Sequence, residues 1–237
     1  KSAVNALTQF YAGKKLLPAN FSEKNHIEEI QGVYVPFWLY SGTAKGNVTL
    51  NGRNIRTWSD SKNNYTETDH WLLHRVGTME FNRVPVDGST KMPDAHMDAI
   101  EPYDYSELKP FSTAYLPGYM ADKYDVDAAT AEERARKRAE SSTVAALRNS
   151  VEGYASVTEK ESQVSYHRTG LHYALLPVWL LLTKWNGNDY LFAVNGQTGK
   201  LVGNLPIDKG RKWAWFFGVW LGVAAVIIGL GALINLM

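Results

Sequence analysis

Two histidines stand four apart in His70-Trp71-Leu72-Leu73-His74. On a helix that spacing puts both imidazoles on one face, where they would hold zinc. The general-base glutamate of an HExxH motif is missing, and residues 65–84 alternate as a strand does. On a strand the two rings lie about 13 Å apart, too far for two ligands that each sit about 2 Å from one metal. A strand is therefore expected, and no metal. Asp122, Asp125 and Asp127 are spaced D-x-x-D-x-D, whereas a calcium loop needs D-x-D-x-D-G and a later glutamate. They read as acids at a helix N-terminus. Gly196-Gln197-Thr198-Gly199-Lys200 has two residues between its glycines where a phosphate loop has four, and Leu201 follows the lysine. It reads as a hairpin turn. Arg134, Arg136, Lys137 and Arg138 are interleaved with Glu132, Glu133 and Glu140, the pattern of a solvated, self-paired helix face. A hydrolase would have to bring together at least two of Asp60, His70 and Asp87 in a deep polar pocket. No catalytic, cofactor-binding or metal-ligating set is assigned.

The elements that would position these residues follow from periodicity. Residues 2–12 read as a short helix capped by Ser2, and Ser22 caps a second helical segment ending at Gly32. Residues 33–50 are rich in Val, Tyr, Phe and Trp and read as strands. Asn51-Gly52 is a hairpin signal, and residues 59–64 form a loop. Pro93 starts a helix that must stop before Pro102. Asp127 caps one long helix from Ala128 to about Val151, with Ala131, Ala135, Ala139 and Ala146 on its packing face. Residues 154–204 return to strands, with turns at Asn186-Gly187-Asn188 and from Asn195 to Gly199. Pro36-Phe37-Trp38-Leu39 before Leu50-Asn51-Gly52 is echoed by Pro177-Val178-Trp179-Leu180 before Val194-Asn195-Gly196. The expected fold is α+β: two antiparallel β units (about 28–90 and 154–206), related as a pseudo-repeat, with a helical section (93–152) and one long helix between them, plus a C-terminal transmembrane helix.

That last helix comes from residues 213–237, which carry no charged side chain. About 20 apolar residues cross a hydrocarbon core, so this run is long enough to span. A soluble core helix rarely ends a chain in so long an uncharged run. Lys209, Arg211 and Lys212 precede it, and Trp213 and Trp215 open it at the depth where indoles meet headgroups. The basic flank places residues 1–212 in the cytoplasm, and with it the three N-glycosylation sequons lose their relevance. Gly218 and Gly222 are four apart and offer a close-packing face to another helix. The chain has 237 residues, a net charge of +1 and no cysteine. Bulk charge gives nucleic-acid binding no support, and disulfides, thiol catalysis and thiolate metal sites are excluded within this chain. The start on Lys1 suggests a fragment or a processed product.

Several segments resemble a known family. They are Asn25-His26-Ile27-Glu28-Glu29-Ile30 before Gly32-Val33-Tyr34-Val35-Pro36-Phe37-Trp38-Leu39, Arg56-Thr57-Trp58-Ser59-Asp60-Ser61, Val84-Pro85-Val86-Asp87-Gly88-Ser89, Ala121-Asp122-Lys123-Tyr124-Asp125-Val126-Asp127, and Asn195-Gly196-Gln197-Thr198-Gly199-Lys200. In this order they are similar to the bacterial membrane-anchored zinc-ribbon proteins, labelled TFIIB-type zinc-ribbon or PriA-like. The resemblance implies cysteine-rich ribbons ahead of this domain, so zinc is expected only if such ribbons lie upstream of Lys1, and nucleic-acid binding only through them. It carries over no catalytic residues. It implies company with SPFH (flotillin-like) membrane proteins, hence a non-enzymatic adaptor or scaffold at the cell membrane. Homo-oligomerisation is a further expectation.

Overall fold

The computed structural model describes residues 7, 9–18, 20–21 and 27–236. It is α+β. Strands β1 (Ile27–Ser59), β2 (Asn64–Asp87), β3 (Met120–Ala121), β4 (Ser156–Trp185), β5 (Asn188–Asn195) and β6 (Leu201–Gly203) form one antiparallel sheet in the order β2-β1-β4-β5-β6, with β3 on β1. Among the described residues, helices are α1 (Asp94–Ala99), α2 (Ala128–Asn149) and the C-terminal α3 (Lys209–Leu236), and residues 7, 9–11 and 20–21 are also helical.

Two local expectations are corrected. Ile27 to Ile30, expected in a helix, open β1; their proposed cap Ser22, like Ser2, lies outside the described residues. Asn51-Gly52 is not a turn but sits inside β1, where Gly52 pairs with Trp71. The chain reverses at residues 60–63, where Asp60 Oδ1 accepts from the backbone N–H groups of Lys62 and Asn63 at 2.8 and 2.6 Å. Glycine is needed at 52 for close approach: a Cβ there would stand 2.7 Å from the Tyr154 ring and 2.9 Å from Leu73 Cδ1.

The chain gathers into two compact units, each assembled from separated segments. One comprises Tyr34–Asp98 and Ala121–Leu176. Its frame is the β1–β2 ladder, which runs from Phe37↔Asp87 to Ser59↔Asn64 with one irregularity between Tyr40 and Gly42. Helix α2 is capped by Asp127, whose carboxylate accepts from Thr130 N–H at 2.7 Å. It buries Ala131, Ala135, Ala139 and Thr143. Ala146, expected on that face, is exposed, because a 3.6-residue period carries the stripe from 139 to 143. Tyr40, Val86, Ala131 and Ala135 form the core there, with Trp38, Val126 and Leu171 around them.

The other unit comprises Lys1–Val33, Ala99–Met120 and Pro177–Met237. Leu181, Phe192 and Val194 of the β4–β5 hairpin pack with Leu7, Leu17 and Phe21. Full burial of a side chain such as Leu181 or Phe192 stabilises by about 1.5–3 kcal/mol. Edge-to-face rings join Tyr11 to Phe21 at 5.3 Å and Phe21 to Trp185 at 5.5 Å. The β4–β5 turn is the expected one, with positive φ at Asn186 (49°) and Gly187 (77°).

Each unit contains the same local pairing. In one, Trp38 pairs with Val86, Phe37 with Asp87, and Gly88 N–H donates to Pro36 O at 2.8 Å. In the other, Trp179 pairs with Val194, Val178 with Asn195, and Gly196 N–H donates to Pro177 O at 2.8 Å. In these pairings Val194-Asn195-Gly196 and Val86-Asp87-Gly88 lie opposite the two Pro-x-Trp segments, whereas Leu50-Asn51-Gly52 pairs with Trp71 to Leu73.

Candidate functional site

The residues whose spacing first suggested chemistry do not converge. His70 and His74 are both on β2, exposed, opposite Arg53 and Thr49. Asp60 caps the hairpin end and Asp87 closes the opposite end of β2. With His70 between them, a rise of about 3.3 Å per residue separates all three by tens of ångströms along the strand. A shallow groove of ≈ 470 Å³ on α2 and β4 is lined by Glu140, Ser141, Arg148, Glu159 and Ser162 among others, and includes none of the three. Gly196 to Gly199 is a turn between β5 and β6. Asn195 Oδ1 accepts from Gln197 N–H and Thr198 N–H at 2.8 and 3.0 Å, and Gly199 takes φ 73°.

Of the acidic trio, only Asp127 caps a helix. Asp122 takes Lys91 Nζ at 2.7 Å and Ser89 Oγ at 3.1 Å, and Asp125 takes Thr90 N–H at 2.8 Å. Both therefore fix the loop after β2. Hydrogen bonding from Lys91 holds the Asp122 carboxyl below its ordinary range, as Thr90 does for Asp125.

The basic residues of α2 divide. Arg136 pairs with Glu133 and Glu140, and Lys137 with Glu133, as a self-paired face should. Glu132 instead pairs with Arg168 on β4. Arg134 and Arg138 turn away from that face. Arg134 reaches Asp87 at 2.8 Å, Asp94 at 3.1 Å and Asp98 at 3.0 Å, while Arg138 donates to Pro85 O at 2.6 Å. The Asp87 side chain is 1% exposed, and its Oδ2 finds no hydrogen-bond partner among the described residues. Burial pushes its carboxyl above the ordinary range, against the pull of Arg134. Sequence reasoning missed this cluster. The available signal was an arginine between Ala131 and Ala135, on the edge of the buried stripe. Ion pairing accounts for the cluster as a clamp of α1 and α2 to the end of β2.

The residues expected at the membrane interface, Lys209, Arg211, Lys212, Trp213 and Trp215, fall on α3, which starts at Lys209 rather than at residue 213. Asp208 sets that start, its Oδ1 accepting Arg211 N–H at 3.0 Å. Lys209, Arg211 and Lys212 therefore lie in the first turn of the helix. The Arg211 guanidinium donates to Leu17 O at 2.9 Å, and Asp208 N–H donates to Leu16 O at 2.9 Å. Lys15 Nζ stands 4.5 Å from the Trp215 ring centre. Trp213 packs on Phe216 and Phe217. Among the described residues, Lys209–Gly229 is the one helical stretch long and apolar enough to cross a membrane, and none of its apolar window is buried. Nothing lies within 4 Å of a Cβ position at Gly218 or Gly222, so that face is open.

Over 204 residues, 86% of this chain, the sequence is 36% identical to an uncharacterized protein, YdjG, of Bacillus subtilis (strain 168). The chain spans 60% of that relative's length. No family model matches the chain. No solved structure matches it.

Proposed function

We propose that this chain is a non-enzymatic adaptor or scaffold held in the cell membrane by α3 as a single-pass anchor, with residues 1–212 cytoplasmic and an SPFH-type membrane protein as its partner. The observation that carries the reading is the unburied helix Lys209–Gly229. Trp220, Leu221, Ile227 and Ile228 are each more than half exposed on it, a surface that water does not tolerate and lipid does. Orientation follows from Lys209, Arg211 and Lys212 at one end. Membership of the zinc-ribbon family and the SPFH partner rest on the sequence resemblance. The adaptor role is supported by a hairpin that projects exposed Ile55, Trp58, Trp71 and Leu72, and by the separation of Asp60, His70 and Asp87. The test is chemical crosslinking of the full-length protein in native membranes, with captured proteins identified by mass spectrometry. An SPFH-domain protein enriched over an unrelated single-pass control is expected; recovery at control level contradicts the proposed partner.

A further inference from the structure

We propose that Lys14 and Lys15 join Lys209 and Lys212 in one cationic collar that binds the headgroups of anionic phospholipids where α3 enters the membrane. The inference rests on α3 being a membrane anchor. Two segments nearly the whole chain apart in sequence meet at this point. Arg211 ties them by its hydrogen bond to Leu17 O, and Asp208 N–H by its bond to Leu16 O. Trp215 is one turn beyond Arg211 and so lies on the same side of α3. There Lys15 Nζ sits over its ring at 4.5 Å. Lys14, the preceding residue in the chain, is held over Phe10 at 5.2 Å. Lys14, Lys15, Lys209 and Lys212 are all exposed. Residues 13–17 and 207–215 together contain a single acid, Asp208, and its carboxylate is engaged with Arg211 N–H.

The chemistry selects the ligand. An indole at the mouth of a membrane helix settles at headgroup depth, so the Lys15–Trp215 contact holds the ammonium level with lipid phosphates. A zwitterionic headgroup offers no net charge to such a cluster, while each basic residue near an anionic surface strengthens association about fivefold.

The test uses the full chain in vesicles containing spin-labelled phosphatidylglycerol or phosphatidylcholine, with the relative association read by electron paramagnetic resonance. Alkaline carbonate extraction is run first. Wild type is expected to favour phosphatidylglycerol by about fivefold or more. Lys14→Gln with Lys15→Gln should lower that preference as far as Lys209→Gln with Lys212→Gln does, with unchanged circular dichroism. A preference untouched by Lys14→Gln with Lys15→Gln overturns the proposal, as does equal association of both lipids. Loss of the preference on adding inorganic phosphate at constant ionic strength also overturns it, because the ligand would then be free phosphate. Extraction of the chain by carbonate contradicts the anchor and the collar together; retention without lipid preference contradicts the collar alone.

Discussion

Gly46 and Gly77 are register partners on β1 and β2, and together they form the seat of α2. A methyl group added at Gly46 would stand 2.8 Å from both Leu147 Cδ1 and Thr143 Cγ2, and one at Gly77 would stand 2.9 Å from Leu147 Cδ2. The helix lies this close because neither position carries a side chain. Gly46→Ala, which meets the buried, β-branched Thr143 as well as Leu147, should destabilise the protein by about 1–3 kcal/mol through overpacking, and Gly77→Ala, which meets the end of the Leu147 side chain, should cost less. Thermal unfolding in detergent measures this, with Ser141→Ala on the exposed side of α2 expected within about 0.5 kcal/mol of wild type.

Arg134→Met leaves the Asp87 carboxylate buried without its partner, and should cost about 3 kcal/mol at neutral pH. The cost should shrink in acid, where Asp87 is protonated. Burial raises the folded-state pKa of Asp87 above its unfolded value of about 3.9. The folded protein therefore binds this proton more readily than the unfolded chain does. The stability so contributed is complete below about pH 3.9 and is lost as pH rises through the folded value. Asp87→Asn removes that titration. The stability of wild type relative to Asp87→Asn should accordingly fall as pH rises from about 4; a flat or rising difference would show that Arg134 outweighs burial.

Asn195 is fully buried and uses both ends of its amide. Its Nδ2 donates to Ile100 O and Pro102 O, each at 3.0 Å, while its Oδ1 organises the turn before β6. Asn195→Ala strands these groups and should cost about 1–3 kcal/mol. Asn195→Asp should not restore stability, because it sets a carboxylate against two carbonyl oxygens. Urea unfolding of the two variants checks both statements.

The open glycine face of α3 predicts helix association in lipid. Gly218→Leu with Gly222→Leu should reduce association of the isolated helix in a bilayer reporter assay severalfold, and Ala224→Leu, about 140° round the helix from the two glycines, should matter less. Equal association across the variants would leave α3 as an anchor without a pairing face.

Where local pattern and tertiary demand agreed, the fold was legible in advance. The strand-like pattern of 65 to 84 marked β2, and Asp127 with its alanine stripe marked α2. The unburied α3 was visible as an uncharged run. Where they conflicted, pairing won. Ile27 to Ile30 carry helix-favouring neighbours yet join β1, and β4 runs for 30 residues through segments that looked like several strands. Asn51-Gly52 misled because glycine serves turns and close approaches alike, and only the position of Tyr154 separates the two. The Arg134 cluster and the meeting of Lys15 with Trp215 were hidden for another reason. Both join residues tens to hundreds of positions apart, and single-chain periodicity carries no information about such contacts.

As proposed, α3 crosses the membrane and leaves residues 1–212 in the cytoplasm. Lys62 is exposed at the tip of the β1–β2 hairpin, and these 237 residues include no cysteine, so in cells producing residues 1–237 alone Lys62→Cys provides a unique thiol. A membrane-impermeant maleimide applied to intact cells should leave it unlabelled, and the same reagent should label it fully after lysis, with the protein in the carbonate-resistant membrane fraction. Labelling in intact cells, or release of the protein by carbonate, would contradict the account.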